Sequence, residues 1–281
     1  MINHRVVMPE LPEVETLVRQ LRVRLVGRCI VTAQLSHEDI LSGTTVAELL
    51  GELPGRSILG VDRRAKHALL RTDTRMLAVQ PGMTGSLLVY ERPLSREEQR
   101  YAVLTCALDD GAMLVYRDVR RIGTLRWLDT AGWTAYNARL GPEPLDPEFT
   151  AALFAERLGR PRAAIKKVLM DQKVVVGVGN IYATEALFAA GIDPSKAANR
   201  VPREQLVELH GHIRRILAAA ITSEGTSFRD YVTSTGEPGN FQLELFVYGR
   251  EGEPCRVCGT RLAATHDIDA RGTVFCWRCQ R

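Results

Sequence analysis

No stretch of this sequence is long and apolar enough to cross a membrane: runs such as Ile216 to Ile221 fall far below the ~20 residues that a spanning helix needs. No basic-then-apolar leader opens the chain, so a soluble, cytoplasmic setting is expected. A strong charge of either sign is also missing. Lys and Arg exceed Asp and Glu by 37 − 33 = +4, a slight lean toward a polyanionic partner whose weight depends on where the positive charges sit. There are no internal repeats and no low-complexity tracts. Nor is there a disulfide ladder, because four of the six cysteines fall in two Cys-x-x-Cys pairs near the C-terminus. What is present is 281 residues, 45% of them apolar, enough for about two domains with real cores. A disordered chain and a minimal disulfide scaffold are thereby excluded.

Val14, Leu17, Val18, Leu21 and Leu25 recur at helical spacing and predict an amphipathic helix over 12–26. Short apolar segments then read as strands over 56–61, 67–71, 76–80, 86–90, 101–108 and 112–117, the last two joined by the turn Asp109-Asp110-Gly111. Such strands with tight turns point to a β-sandwich. From about Asp146 the pattern becomes helical, over 148–158, 163–169, 181–189 and 203–223. The Gly-, Ser- and Thr-rich stretch 225–240 reads as a long functional loop. The expected class is α+β.

Cys255-x-x-Cys258, seventeen residues, then Cys276-x-x-Cys279 sets four thiolates on two tight turns, the tetrahedral shell of one structural Zn²⁺. Such a shell is closed, so the metal is not expected to be catalytic. Cys29 and Cys106 sit in strand-like apolar surroundings and read as core. Between the pairs, a hairpin from Thr265 to Thr273 presents Arg271 beside Gly272. On charge alone this arginine could reach a phosphate or be a solvated surface residue. Across Leu169 to Ala183 a helix runs into Gly177-Val178-Gly179, and a new helix begins at Asn180, a candidate N-cap. That turn could seat a phosphate on its backbone N–H groups, and it equally fits a plain C-cap followed by an N-cap. The prolines and acids of Pro9-Glu10-Leu11-Pro12-Glu13 are, by themselves, ordinary helix-entry chemistry.

Taken in order, several segments resemble the formamidopyrimidine-DNA glycosylase family across almost the whole chain. They are Pro9-Glu10-Leu11-Pro12-Glu13-Val14-Glu15-Thr16, Arg63-Arg64-Ala65-Lys66, Gly82-Met83-Thr84-Gly85, Asp118-Val119-Arg120-Arg121-Ile122-Gly123, the turn Gly177 to Tyr182, and Val247-Tyr248-Gly249-Arg250 before the cysteines. The resemblance implies a base-excision repair enzyme that flips an oxidised purine out of duplex DNA, cleaves its glycosidic bond and nicks the abasic site by β,δ-elimination. It makes Pro9 a secondary-amine nucleophile on the sugar C1′. An α-amino group with a pKa of ~8 holds far more free base at neutral pH than a lysine at ~10.4. Glu10 would protonate the sugar ring oxygen. Lys66 would contact the lesion-side phosphate and assist β-elimination, and Arg271 would bind phosphate and assist δ-elimination.

Met83, Arg120 and Ile122 would fill the hole left by the flipped base, with Arg120 pairing to the orphaned base, preferentially cytosine. Met83 and Ile122 could equally be sandwich core. Tyr101, Arg162, Lys166 and Asn180 complete the implied DNA-contacting set, and the 225–240 loop would cover the flipped base. The implied organisation is an N-terminal β-sandwich catalytic domain flanked by helices (8–140), a helix-two-turn-helix domain (146–240) and a zinc finger with a β-hairpin (241–281). The implied requirements are one structural Zn²⁺ and no nucleotide cofactor, in a monomer acting on double-stranded DNA.

The sequence departs from the family pattern in four places. Seven residues precede Met8-Pro9, and an internal proline nitrogen is a tertiary amide with no nucleophilic lone pair. The working form is therefore expected to begin at Pro9. If residues 1–7 stay attached, the alternative is a catalytically silent damaged-DNA-binding protein. Gln80-Pro81 replaces the usual His-Leu, Tyr101 stands where a phosphate-contacting histidine is common, and Ile122 replaces the usual wedge phenylalanine. Leu11 favours the oxidised-purine branch over the oxidised-pyrimidine glycosylases of endonuclease VIII type, which typically have Gly after the Pro-Glu pair.

Overall fold

The computed structural model describes residues 8–226 and 239–281. The seven residues before Met8, and the 225–240 loop apart from its ends, lie outside the described residues. The chain divides into two compact units, one of residues up to Ala138 together with 223–240, the other of 139–222 together with 241–281.

In the first unit, α1 (Leu11–Leu25) has Pro12 and Glu13 in its first turn and Arg22 and Arg24 in its last, each suited to its end of the helix dipole. Its apolar stripe is buried as the spacing predicts. There follow β1 (Ile30–Leu35), α2 (Val46–Glu52), β2 (Ile58–Arg64), β3 (His67–Thr72), β4 (Met76–Gln80), β5 (Gly85–Tyr90), α3 (Arg96–Arg100), β6 (Ala102–Leu108), β7 (Met113–Asp118), β8 (Thr124–Leu128) and α4 (Thr130–Asn137). The strands form two four-stranded sheets, β1-β6-β7-β5 and β2-β3-β4-β8. One apolar cluster joins them, with Val14 and Leu21 from α1, Leu87, Leu104 and Tyr116 from one sheet, and Val61, Leu70 and Trp127 from the other. Each such side chain contributes roughly 1.5–3 kcal/mol through burial. This is the expected sandwich.

Five helices and strands of the first unit, β1, α2, α3, β8 and α4, have no counterpart in the sequence reading. In β1, Ala33 and Leu35 alternate toward the core with Thr32 and Gln34 outward, but the irregularity between Ile30 and Thr32 breaks the pattern after Ile30 and leaves the alternation too short to reveal the strand. Leu125 and Trp127 do alternate inward in β8, and α2 opens on a capping box in which the Thr45 hydroxyl accepts from the Glu48 N–H at 3.2 Å. Both signals were readable.

The second unit comprises α5 (Ala151–Leu158), α6 (Ile165–Met170), α7 (Asn180–Ala189), α8 (Arg203–Thr222) and the hairpin β9 (Ala263–Thr265) and β10 (Thr273–Phe275). Helix α7 is central: every residue from Ile181 to Phe188 is buried, including Glu185, whose carboxylate accepts the N–H groups of Phe246, Val247 and Tyr248 at 2.9, 2.9 and 2.7 Å. Phe188 joins Val247, Leu262, Val274, Cys255 and Cys276 in a small core beneath the hairpin. Among the described residues, no helix is long and apolar enough to cross a membrane.

Candidate functional site

In the first unit, Pro9 and Glu10 are buried at the entry of α1. Glu13, in the first turn, accepts a hydrogen bond from the Glu10 N–H at 2.9 Å and one from the Thr226 N–H at 2.8 Å. A carboxylate three residues into the helix folds back on the residue before it, the geometry of a capping box.

Lys66 lies in the tight connection between β2 and β3, where Arg64 pairs with His67. Ala65 there takes a φ of 55°, which non-glycine residues seldom adopt. The next residue, His67, is buried. Its Nδ1 faces the Arg64 carbonyl at 3.3 Å and its Nε2 faces the Tyr136 hydroxyl at 2.8 Å, so Nδ1–H donates and Nε2 accepts. Burial, aided by the positive charge of Arg126, holds this imidazole down at about 4. It is neutral at neutral pH and adds no charge beside Lys66.

Met83, Arg120 and Ile122 project from two turns held by one buried carboxylate. Asp118 Oδ1 accepts from the Thr84 hydroxyl at 2.5 Å and the Arg120 N–H at 3.3 Å, while Oδ2 accepts from the Gly123 N–H at 2.9 Å and the Tyr116 hydroxyl at 3.1 Å. The turns touch so closely that a Cβ on Gly82 would stand 2.6 Å from the Gly123 nitrogen. Arg121 takes a φ of 51° between Arg120 and Ile122. Arg120 Nη1 approaches Met83 Sδ at 3.7 Å, Ile122 is 41% exposed and Met83 is half-buried. Neither apolar residue belongs to the sandwich core. Tyr101, at the head of β6, accepts the Asp118 N–H on its carbonyl at 3.1 Å and has the Arg100 guanidinium 5.2 Å above its ring.

In the second unit, Lys166 is fully buried on α6. Its ammonium lies 2.5 Å from Asn180 Oδ1 and 2.6 Å from the Thr273 hydroxyl. Burying an ammonium costs several kcal/mol unless such oxygens satisfy it. The Asn180 Nδ2 donates to the Gly272 carbonyl at 3.2 Å. Asn180 is therefore not the expected N-cap. Gly179 takes that place, Asn180 is the first residue of α7, and its amide is engaged by the lysine and the hairpin. Arg162 is exposed just before α6. Arg271 is exposed too, with its Nε 3.7 Å from Asp269 Oδ2, and it follows Asp269 and Ala270 at φ of 59° and 52°. Left-handed non-glycine residues cost about 1–3 kcal/mol each and persist where their surroundings over-determine them. Ala65, Arg121, Asp269 and Ala270 stand beside Lys66, Arg120 and Arg271, and Glu224, the other such residue among the described ones, stands just before the 225–240 loop.

The sulfurs of Cys255, Cys258, Cys276 and Cys279 lie within 4.8 Å of one another, with Cys258 and Cys276 at 3.5 Å and Cys255 and Cys279 at 4.0 Å. Metal–sulfur bonds of ~2.3 Å at tetrahedral angles require sulfurs about 3.8 Å apart, so these four can hold one metal ion. Hydrogen bonds to Thr260 pull the Cys258 thiol down to about 6, while desolvation pushes Cys276 and Cys279 up.

Sequence reasoning singled out neither Glu13, Asp118 and Thr84 nor Thr273 as parts of the site. Each lies in or next to a motif of interest, but its partners are distant in sequence, and spacing carries no trace of them.

The family model described as formamidopyrimidine-DNA glycosylase N-terminal domain matches residues 8–125, and that described as formamidopyrimidine-DNA glycosylase H2TH domain matches 140–232. The formamidopyrimidine-DNA glycosylase of Pseudomonas entomophila (strain L48) is 44% identical over 276 residues, 98% of this chain and 100% of that protein. Among solved structures, a complex between a Lactococcus lactis Fpg mutant and Fapy-dG-containing DNA matches with a TM-score of 0.90 and 35% identity, over 97% of this chain and 100% of that one. A complex of Lactococcus lactis Fpg with abasic-site DNA matches with a TM-score of 0.89 and 35% identity, over 97% and 99%. Fold, motif order and sequence agree along nearly the entire length, and the chain belongs to the formamidopyrimidine-DNA glycosylase family.

Proposed function

We propose that this protein excises oxidised purines, formamidopyrimidines and 8-oxoguanine, from duplex DNA and then cleaves the resulting abasic site. The observation that carries this reading is the trio Met83, Arg120 and Ile122, held outside the core on turns anchored to Asp118. A rigid group of apolar and guanidinium side chains is what must fill the stack when a base leaves it. Arg120 can donate two hydrogen bonds to the orphaned base.

In this reading the Pro9 nitrogen attacks C1′ of the flipped nucleotide while Glu10 gives a proton to the sugar ring oxygen, so the ring opens, the base departs and an iminium remains on the protein. Loss of a C2′ proton then expels the 3′-phosphate, with Lys66 on the lesion-side phosphate. A second elimination, assisted by Arg271, expels the 5′-phosphate. The nitrogen must be a free secondary amine, so the working form begins at Pro9. The family match that starts at residue 8 supports this. Asn180, Arg162 and Tyr101 serve the DNA backbone, whereas Lys166, fully buried against Asn180 and Thr273, contributes by setting the Asn180 amide rather than by the direct contact the resemblance implied.

The four cysteines would hold one Zn²⁺ in a closed structural shell that braces the hairpin carrying Arg271. Residues 8–140 are assigned to the chemistry, 146–240 to the helical grip on DNA and 241–281 to the finger, in a cytoplasmic monomer.

Borohydride reduction with a duplex containing 8-oxoguanine opposite cytosine tests the scheme. A covalent adduct is expected from protein beginning at Pro9 and none from protein that retains residues 1–7. No adduct from either would overturn it.

A further inference from the structure

We infer that Glu13 is a positioning residue that fixes the reacting Pro9–Glu10 unit against the neck of the 225–240 loop. The inference rests on the reading of Pro9 and Glu10 as the reacting pair. Its basis is one carboxylate, 2% exposed, shared by two backbone N–H groups from opposite ends of the first unit. Oε2 takes the Glu10 N–H at 2.9 Å, and Oε1 takes that of Thr226, 213 residues from Glu13 in sequence, at 2.8 Å. An ionised carboxylate accepts on both oxygens and donates on neither, whereas a glutamine in the same place turns an NH₂ toward one of the two N–H groups.

The neck is built tightly around this carboxylate. Gly225 takes a φ of +84°, and a Cβ there would lie 3.0 Å from Glu13 Oε1 and 3.1 Å from its Cγ. Across the neck, the Asn240 N–H donates to the Ser223 carbonyl at 3.0 Å. A Cβ on Gly239 would meet the Glu224 carbonyl oxygen at 2.5 Å. The two chain ends close on each other and hold Thr226 where its N–H meets Glu13. Thr226 thus sets the Glu13 carboxylate, Glu13 sets the Glu10 N–H, and the peptide unit so held carries the Pro9 nitrogen. A nucleophile misplaced by a fraction of an ångström loses rate without losing affinity.

The test is single-turnover borohydride trapping on a preformed abasic duplex, with full-length protein beginning at Pro9, its Glu13→Gln variant and its Gly225→Ala variant. Trapped amplitude counts active molecules, and the rate constant reports how they are arranged. A purely structural role would lower the amplitude and leave the rate constant alone. For Glu13→Gln, a rate constant about tenfold or more below the parent is expected, the size of one lost charge-assisted hydrogen bond, with abasic-duplex affinity unchanged. Gly225→Ala pushes on the same carboxylate from the neck and should slow trapping in the same way, so it carries the test alone if Glu13→Gln fails to fold. Folded variants trapping within about twofold of the parent would overturn the inference. A parent that traps nothing would instead overturn the catalytic reading beneath it.

Discussion

The ammonium of Lys166 stands 2.5 Å from the amide oxygen of Asn180, and that pairing decides which way a residue assigned to the DNA backbone faces. With its oxygen held by the lysine, the amide presents its nitrogen to the Gly272 carbonyl. The same lysine reaches Thr273 at the start of β10. One buried charge thus joins the helix-turn-helix to the hairpin that carries Arg271.

Replacing that lysine with a neutral chain of similar length should therefore weaken DNA binding through Asn180. Lys166→Met and Asn180→Ala are each expected to lower abasic-duplex affinity about tenfold, and the double variant little further, because both break one unit. Titrations at fixed salt on a Glu10→Gln background check this. Fully additive losses would mean that the two residues act separately.

Asp118→Asn keeps one acceptor oxygen but turns an NH₂ toward donors now served by the carboxylate, at about 1–3 kcal/mol for each donor left unsatisfied. The turns bearing Met83 and Arg120 should loosen. Base excision is expected to slow about tenfold or more, with weaker discrimination among opposite bases, as measured by cleavage of 8-oxoguanine placed opposite each base. Unchanged discrimination would show that the carboxylate does not set those turns.

In the proposed scheme, Glu10→Gln removes the acid that protonates the ring oxygen while leaving the Pro9 amine in place. Base excision should fall by at least about a hundredfold, and trapping of a preformed abasic site should suffer less. Normal excision by the purified variant would remove Glu10 from the mechanism.

Cys276→Ser breaks the four-sulfur shell. The variant should lose its bound metal, as read by elemental analysis, and with it the hairpin's hold on Arg271, so that duplex affinity drops. Chelation of the parent should do the same, and full metal content with normal binding would contradict the assignment.

His67 gives the protein a built-in acid sensitivity. Burial holds its pKa at about 4 in the folded chain, below the ordinary imidazole value of 6.5. Between those values the unfolded chain binds more protons, so stability falls as pH drops through that window and is intact above it. The full effect is roughly 3 kcal/mol. Urea midpoints at about pH 7.5 and about pH 5 should differ less in His67→Phe than in the parent. An equal difference would place the acid sensitivity elsewhere.

Local chemistry alone determined much of this protein. The apolar stripe of α1, the turn at Asp109 to Gly111 and the cysteine spacing each act between residues a few positions apart, and each stands in the structure as the sequence implied. The ordered motifs likewise named Met83 and Arg120 before anything placed them together. Tertiary structure decided what joins them: Asp118 beneath two turns, Lys166 under Asn180, and Glu13 between Glu10 and Thr226. These are buried polar groups whose partners come from remote segments. A buried donor or acceptor must be satisfied by whichever group the packing brings within about 3 Å, and that choice is made only when the chain has folded. Asn180 shows the difference, because its residue type and position favoured a cap, while the lysine buried beside it claimed the amide first.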